Sequence, residues 1–173
     1  MKTSKLACRV IPAVRSKLIL FSALLALVIV MPGFIHNQWV TGPIVNAALI
    51  FAAVCVGPME AVILGLMPST VALSSGLLPL PLAPMVPFIM VSNAVLILSF
   101  RYLAVKNYAV RILVAAFLKY AFLNLTLIFL MERLLGADLV SRISVMMSWP
   151  QLITALIGGL IVYPFFKAKK NEL

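Results

Sequence analysis

Long apolar runs, separated by charged residues, prolines and glycines, dominate the pattern of hydrophobic and polar positions along this chain. Each run can satisfy its own backbone hydrogen bonds as a helix, and the sequence lacks the short alternating strands of a closed barrel. The pattern therefore predicts an all-α fold, with one domain over residues 1–173 that contains six transmembrane helices at about 17–31, 42–56, 59–77, 84–100, 109–131 and 150–166.

Composition places these helices in a membrane. Of the 173 residues, 64% are hydrophobic and 10% are charged, and the mean hydropathy is +1.18. Soluble domains are about 45–50% apolar and about 25% charged. Because a spanning helix uses about 20 residues, the chain has room for about six spans. We therefore expect a compact, multi-pass integral protein of the cell (plasma or inner) membrane.

The first run has an alternative interpretation as a signal peptide, since basic residues precede it and it ends near Pro32 and Gly33. No small-x-small cleavage site follows the run, however. We expect the run to remain as the first helix.

Basic residues predict the orientation of the bundle. If there are six helices, the basic residues of 2–17, 101–111 and 167–170 all lie on one side, and the opposite connections contain only Arg133 and Arg142. The positive-inside rule then places both termini in the cytoplasm. This arrangement accounts for the net charge of +10, and no nucleic-acid partner is predicted.

Two connections on the outer side contain no charged residue: 32–41 (PGFIHNQWVT) and the proline-rich start of 76–94 (GLLPLPLAPMVPFIMVSNA). Solvated loops are usually rich in polar residues, whereas these connections are apolar or aromatic, which is typical of lids. The first two of the four prolines are expected to stiffen an extended connection. Pro84 and Pro87 are expected at or near the first turn of the fourth helix, where a missing N–H costs least.

Three polar side chains inside the predicted spans are candidates for substrate binding: Asn46, Asn93 and Lys119. Lys119 lies about midway along its span, and burying it is costly unless it is paired or faces a wet cavity. It is either available to an anionic or carbonyl-bearing substrate or held by neighbouring carbonyls, or by Asn93, as a structural element. Asn46 and Asn93 share a local context, VNAALI and SNAVLIL, and either contact the substrate or join helices by hydrogen bonds.

Trp39 and Ser75 complete the predicted substrate-binding residues. Trp39 would stack on a flat heterocycle near the outer face, or it belongs to the aromatic belt of any membrane protein. Ser75 is one of the polar side chains of the third helix. Pro68, in the middle of the same helix, predicts either a plain kink or an opening that lines a pocket.

The sequence predicts no enzyme. It has neither a GxxxxGK[ST] loop nor a GxSxG elbow, and its four carboxylates fall near helix ends or in tails. His36 has no second histidine or carboxylate near it, and Cys8 and Cys55 match no metal or disulfide spacing. We therefore expect no catalytic residue, no metal site and no cofactor.

Two neighbouring segments carry a family resemblance: TGPIVNAALIFAAVCVGPMEAVILGLMPS and LLPLPLAPMVPFIMVSNAVLIL. Together with the six short helices, cytoplasmic termini and apolar outer loops, they resemble the substrate-binding S components of energy-coupling-factor (ECF) transporters. The stretch 41–100 also resembles small bacterial membrane proteins that sometimes carry the label "iron hydrogenase". Iron–sulfur clusters are typically held by four cysteines, and this chain has two, so that label does not describe its chemistry.

The resemblance implies a high-affinity binder of a vitamin-like small molecule, with its site in the outer half of the bilayer under the first and third loops. The implied partners are a transmembrane coupling protein and two cytoplasmic ATPases. The family often docks the coupling protein through a small-xxx-small pattern on its first helix, and the nearest match here is Ser22 and Ala26. The competing hypothesis is a non-transport membrane anchor or assembly subunit of another complex.

Overall fold

The computed structural model describes residues 14–128 and 148–168, which form six α-helices and no strand. The helices are α1 Val14–Phe34, α2 Gln38–Cys55, α3 Pro58–Ser74, α4 Val86–Tyr102, α5 Tyr108–Thr126 and α6 Trp149–Ala168. A 3-10 helix, Leu80–Met85, precedes α4. The predicted all-α fold is confirmed for these residues.

Five of the described helical segments are long and apolar enough to cross a membrane: Ser16–Phe34, Gln38–Cys55, Leu80–Tyr102, Tyr108–Thr126 and Trp149–Lys167. The remaining helix, α3, is apolar and has 17 residues. These lengths are compatible with a membrane protein. The predicted orientation also depends on basic residues within 1–13, 129–147 and 169–173, which lie outside the described residues.

Helix α2 begins at Gln38, four residues before the predicted start, because Asn37 caps it. The Asn37 side chain accepts a hydrogen bond from the backbone N–H of Trp39 at 2.9 Å, which satisfies a free donor of the first turn. The predicted outer connection 32–41 is therefore wrong in extent. Only 35–37 lie between the helices, and most of the expected lid is helical.

The proline-rich connection before α4 is folded, so the predicted extended connection is wrong. Gly76 turns the chain after α3 with a φ of 81°, a backbone conformation that glycine adopts at little cost. The chain then enters Leu80–Met85, and Pro87 falls in the first turn of α4 as predicted. The segment is apolar because it is part of the core, in a cluster of Leu78, Leu82, Met85, Val86, Leu123 and Leu127.

Helix α2 lies at the centre of the described bundle, where it contacts α1, α3, α4 and, most extensively, α6. Gly158 of α6 permits a close approach between the backbones of α6 and α2. A Cβ at this position would lie 2.8 Å from the backbone nitrogen of Ala47 and 2.9 Å from the carbonyl oxygen of Pro43. A side chain there would therefore push α6 away from α2.

The last residue of α2, Cys55, is buried and disulfide-bonded. The cysteine spacing predicted no disulfide, and that prediction is wrong for Cys55. The other cysteine of the chain, Cys8, lies outside the described residues.

Candidate functional site

Lys119 of α5 is buried in the bundle interior, with only 2% of its surface exposed. Its ammonium donates a hydrogen bond to Oδ1 of Asn46 on α2 at 2.7 Å and another to Oδ1 of Asn93 on α4 at 2.9 Å. Three of the five predicted substrate-binding residues are therefore brought together by three different helices.

The two asparagines are held in one orientation by their amide nitrogens. Nδ2 of Asn93 donates to the carbonyl oxygen of Gly65 on α3 at 2.8 Å, and Nδ2 of Asn46 donates to Oγ1 of Thr154 on α6 at 3.4 Å. A lysine ammonium has donors and no acceptor, so only the amide oxygens can face it. The amides therefore connect the ammonium to α3 and α6 as well.

Close backbone packing beside each asparagine sets these distances. A Cβ at Gly158 would lie 2.8 Å from Cβ of Asn46, and a Cβ at Gly65 would lie 3.1 Å from Cβ of Asn93. Glycine at both positions lets α6 and α3 approach closely enough for the amide hydrogen bonds to form.

A cavity of about 100 Å³ adjoins the ammonium, and Lys119, Asn46 and Asn93 all line it. Its lining is otherwise largely apolar and includes Pro68, Leu77 and Leu78. Leu77 and Leu78 belong to the proline-rich connection, so that connection closes one side of the cavity. Pro68 was expected to cause either a plain kink or an opening that lines a pocket. Its position in the cavity lining agrees with the second interpretation.

Polar side chains from four more positions line the cavity: Gln38, Thr41, Ser69 and Gln151. Ser69 is buried, and its hydroxyl has no hydrogen-bond partner in the described part of the chain. Ser69, Gln38, Thr41, Gln151 and the nearby Thr154 were not among the predicted substrate-binding residues. A signal was present for two of them, since Gln151 and Thr154 stand three residues apart in the apolar first half of α6.

The described residues contain one carboxylate, Glu60, which is exposed in the first turn of α3. Within 14–128 and 148–168 no ion pair reaches Lys119, and its hydrogen-bond partners there are the two neutral amides. In the same ranges, no group of three or more histidine, cysteine or acidic side chains could hold a metal ion.

Trp39 and Ser75 are not brought to the ammonium. Trp39 is half-exposed, and its ring lies 5.4 Å from that of Trp149, centroid to centroid. Ser75 follows the end of α3, where its hydroxyl donates to the carbonyl oxygen of Pro32 at 2.8 Å. The ring of His36 donates to the carbonyl oxygen of Ser75 at 2.7 Å. These bonds join the end of α1 and the short connection before α2 to the end of α3.

Comparisons of the chain with protein-family models, curated proteins and solved structures gave no significant match. The cavity and the residues around it are therefore the features that indicate a function.

Proposed function

We propose that this chain is the membrane-embedded substrate-binding subunit of an ECF-like importer, which captures a small vitamin-like solute from outside. The observation that carries the proposal is the cavity beside Lys119, Asn46 and Asn93. Small-molecule sites are concave and mostly apolar, with a few polar groups that fix the ligand. A charged group kept inside a membrane bundle is also costly and tends to mark a substrate or ion pathway.

The small volume of the cavity means that solute binding requires a conformational change in the protein. At about 100 Å³ the cavity is smaller than the roughly 300–1,000 Å³ of most ligand pockets. A vitamin-sized solute enters only if the surrounding connections move. The hydrogen bonds of Ser75 with His36 and Pro32 hold these connections together, so solute entry breaks them and closure restores them.

The proposed transport cycle takes its energy from partner proteins. Cytoplasmic ATPases hydrolyse ATP, and a transmembrane coupling protein transmits the change to this subunit. Ser22 and Ala26 are both exposed on α1, so a partner helix can approach this surface closely. In the proposal the subunit lies in the bacterial plasma (inner) membrane with both termini in the cytoplasm.

Native mass spectrometry of the full chain purified in detergent tests the proposal. We expect a bound small molecule, or a rise in melting temperature with one compound of a panel of vitamins and nucleobase-like metabolites. Lys119→Met should abolish both. The matched control is Asn124→Leu, also on α5, since the half-buried Asn124 does not line the cavity.

Two results would contradict the proposal. One is the absence of any bound solute together with no response to the whole panel. The other is unchanged solute uptake by cells when Asn46, Asn93 and Lys119 are each replaced by alanine. A protein complex that purifies with this chain but without a solute would instead support the anchor or assembly subunit.

A further inference from the structure

The hydroxyl of Ser69 differs from the other buried hydroxyls of the described helices, those of Thr41, Ser92 and Thr154, because it makes no hydrogen bond in the described residues. Thr70, Ser74, Ser92, Thr126 and Thr154 each donate back to a carbonyl oxygen three or four residues earlier in their own helix. Four residues before Ser69 is Gly65, whose carbonyl oxygen accepts from Asn93. The Ser69 hydroxyl is left buried without a partner in the described residues, beside the cavity.

The ammonium of Lys119 also has a hydrogen-bond donor that no described residue accepts. It carries three N–H donors, and two of them are taken by Asn46 and Asn93. The third has no acceptor among residues 14–128 and 148–168. Burying a cation without an anionic partner is expensive, because neutral amides supply hydrogen bonds but no compensating charge.

These two groups line one cavity, and together they offer one positive charge and two donors. We propose that the cavity binds its solute through a carboxylate, which accepts hydrogen bonds from Nζ of Lys119 and Oγ of Ser69. This inference rests on the proposed solute-binding function and adds the chemical class of the solute. The apolar lining, which includes Val45, Pro68 and Ile89, then packs against the remaining part of the solute.

The charge balance favours a carboxylate over a phosphate. A carboxylate carries one negative charge, which one lysine compensates. A phosphate monoester carries a charge of about −1.5 to −2 near neutral pH, which is more negative charge than the single lysine of the described lining compensates.

Acid–amide pairs test the proposal on the full chain in detergent: acetate with acetamide, propanoate with propanamide, and benzoate with benzamide. Members of a pair have nearly the same shape and differ in charge. Melting temperature is measured near neutral pH at millimolar concentrations and constant ionic strength, with inorganic phosphate as a further probe. We expect at least one acid to raise the melting temperature of the wild type while its amide does not.

Ser69→Ala separates ligand binding from folding. It removes a donor to a charged acceptor, so we expect the affinity for the acid to fall roughly tenfold to hundredfold. Without ligand, the variant should be at least as stable as the wild type, because the hydroxyl has no partner to lose in the described residues. The matched control, Thr70→Val, should bind like the wild type, since the exposed Thr70 hydroxyl donates only to Met67.

Four outcomes would overturn the carboxylate proposal: an amide that stabilises as well as its acid, no response to any acid, a stronger response to phosphate, or normal acid binding by Ser69→Ala. Equal stabilisation by an amide would contradict only the carboxylate class of the solute and not the proposed solute-binding function. The solute-binding function is contradicted only if native mass spectrometry and the metabolite panel also find no solute. The two proposals can therefore be overturned separately.

Discussion

Asn46 and Asn93 lie on different helices and present their amide oxygens to the same ammonium, 2.7 and 2.9 Å from Nζ of Lys119. Each amide nitrogen also reaches a further helix. The two residues therefore stabilise the bundle and shape the cavity at the same time, so experiments must measure folding and binding separately.

Replacing Asn93 with leucine should destabilise the protein by about 2–4 kcal/mol, because the ammonium loses an acceptor while the Gly65 carbonyl loses its donor. Asn124→Leu on α5 is the control and should change stability by less than about 1 kcal/mol. Reversible unfolding in mixed detergent micelles measures both. Equal losses in the two variants would show that the Asn93 hydrogen bonds contribute nothing specific.

The effects of Asn93 and Lys119 should not add. In a Lys119→Met background there is no buried ammonium to partner, so Asn93→Leu should cost less than in the wild type. We expect a coupling energy of roughly 1–3 kcal/mol from the double-mutant cycle. Additive losses would mean that the hydrogen bond between the two side chains does not contribute to stability.

Gly158→Ala should separate α6 from α2, because the added Cβ meets backbone atoms that cannot move aside. Overpacking of this kind costs about 1–3 kcal/mol, and the shift should also weaken solute binding. Gly33→Ala is the control, since its Cβ would lie an ordinary 3.7 Å from Val71. Thermal unfolding and solute titration of both variants check the prediction, and a Gly158→Ala protein as stable as Gly33→Ala would contradict it.

Ser75→Ala should speed the release of bound solute, because it removes the hydrogen bond to Pro32 that joins α1 to the end of α3. A net contribution of about 1 kcal/mol corresponds to a roughly fivefold faster dissociation rate. The neighbouring Ser74→Ala is the control, since the Ser74 hydroxyl donates only to Val71 within its own helix. Stopped-flow measurements of solute release distinguish the two, and identical rates would remove Ser75 from the closure mechanism.

The sequence predicted the helices better than their connections. Apolar runs locate helices because hydropathy belongs to each segment by itself. The start of α2 depended instead on the cap at Asn37, and the 3-10 helix Leu80–Met85 depended on an apolar cluster with the end of α5. Neither contact is visible in a hydropathy pattern, so both outer connections were predicted to be longer or more extended than they are.

By itself, the sequence determined that residues 14–128 and 148–168 form helices without strands and that Lys119, Asn46 and Asn93 lie inside apolar segments. Only the tertiary structure decided that these three side chains meet, that Ser69 and Thr154 lie near them, and that Trp39 does not. A helix that is apolar on every side has no stripe to show which face points inward. Here glycine contacts such as those of Gly65 and Gly158 set the separation of the helices, and that packing determines which polar groups converge.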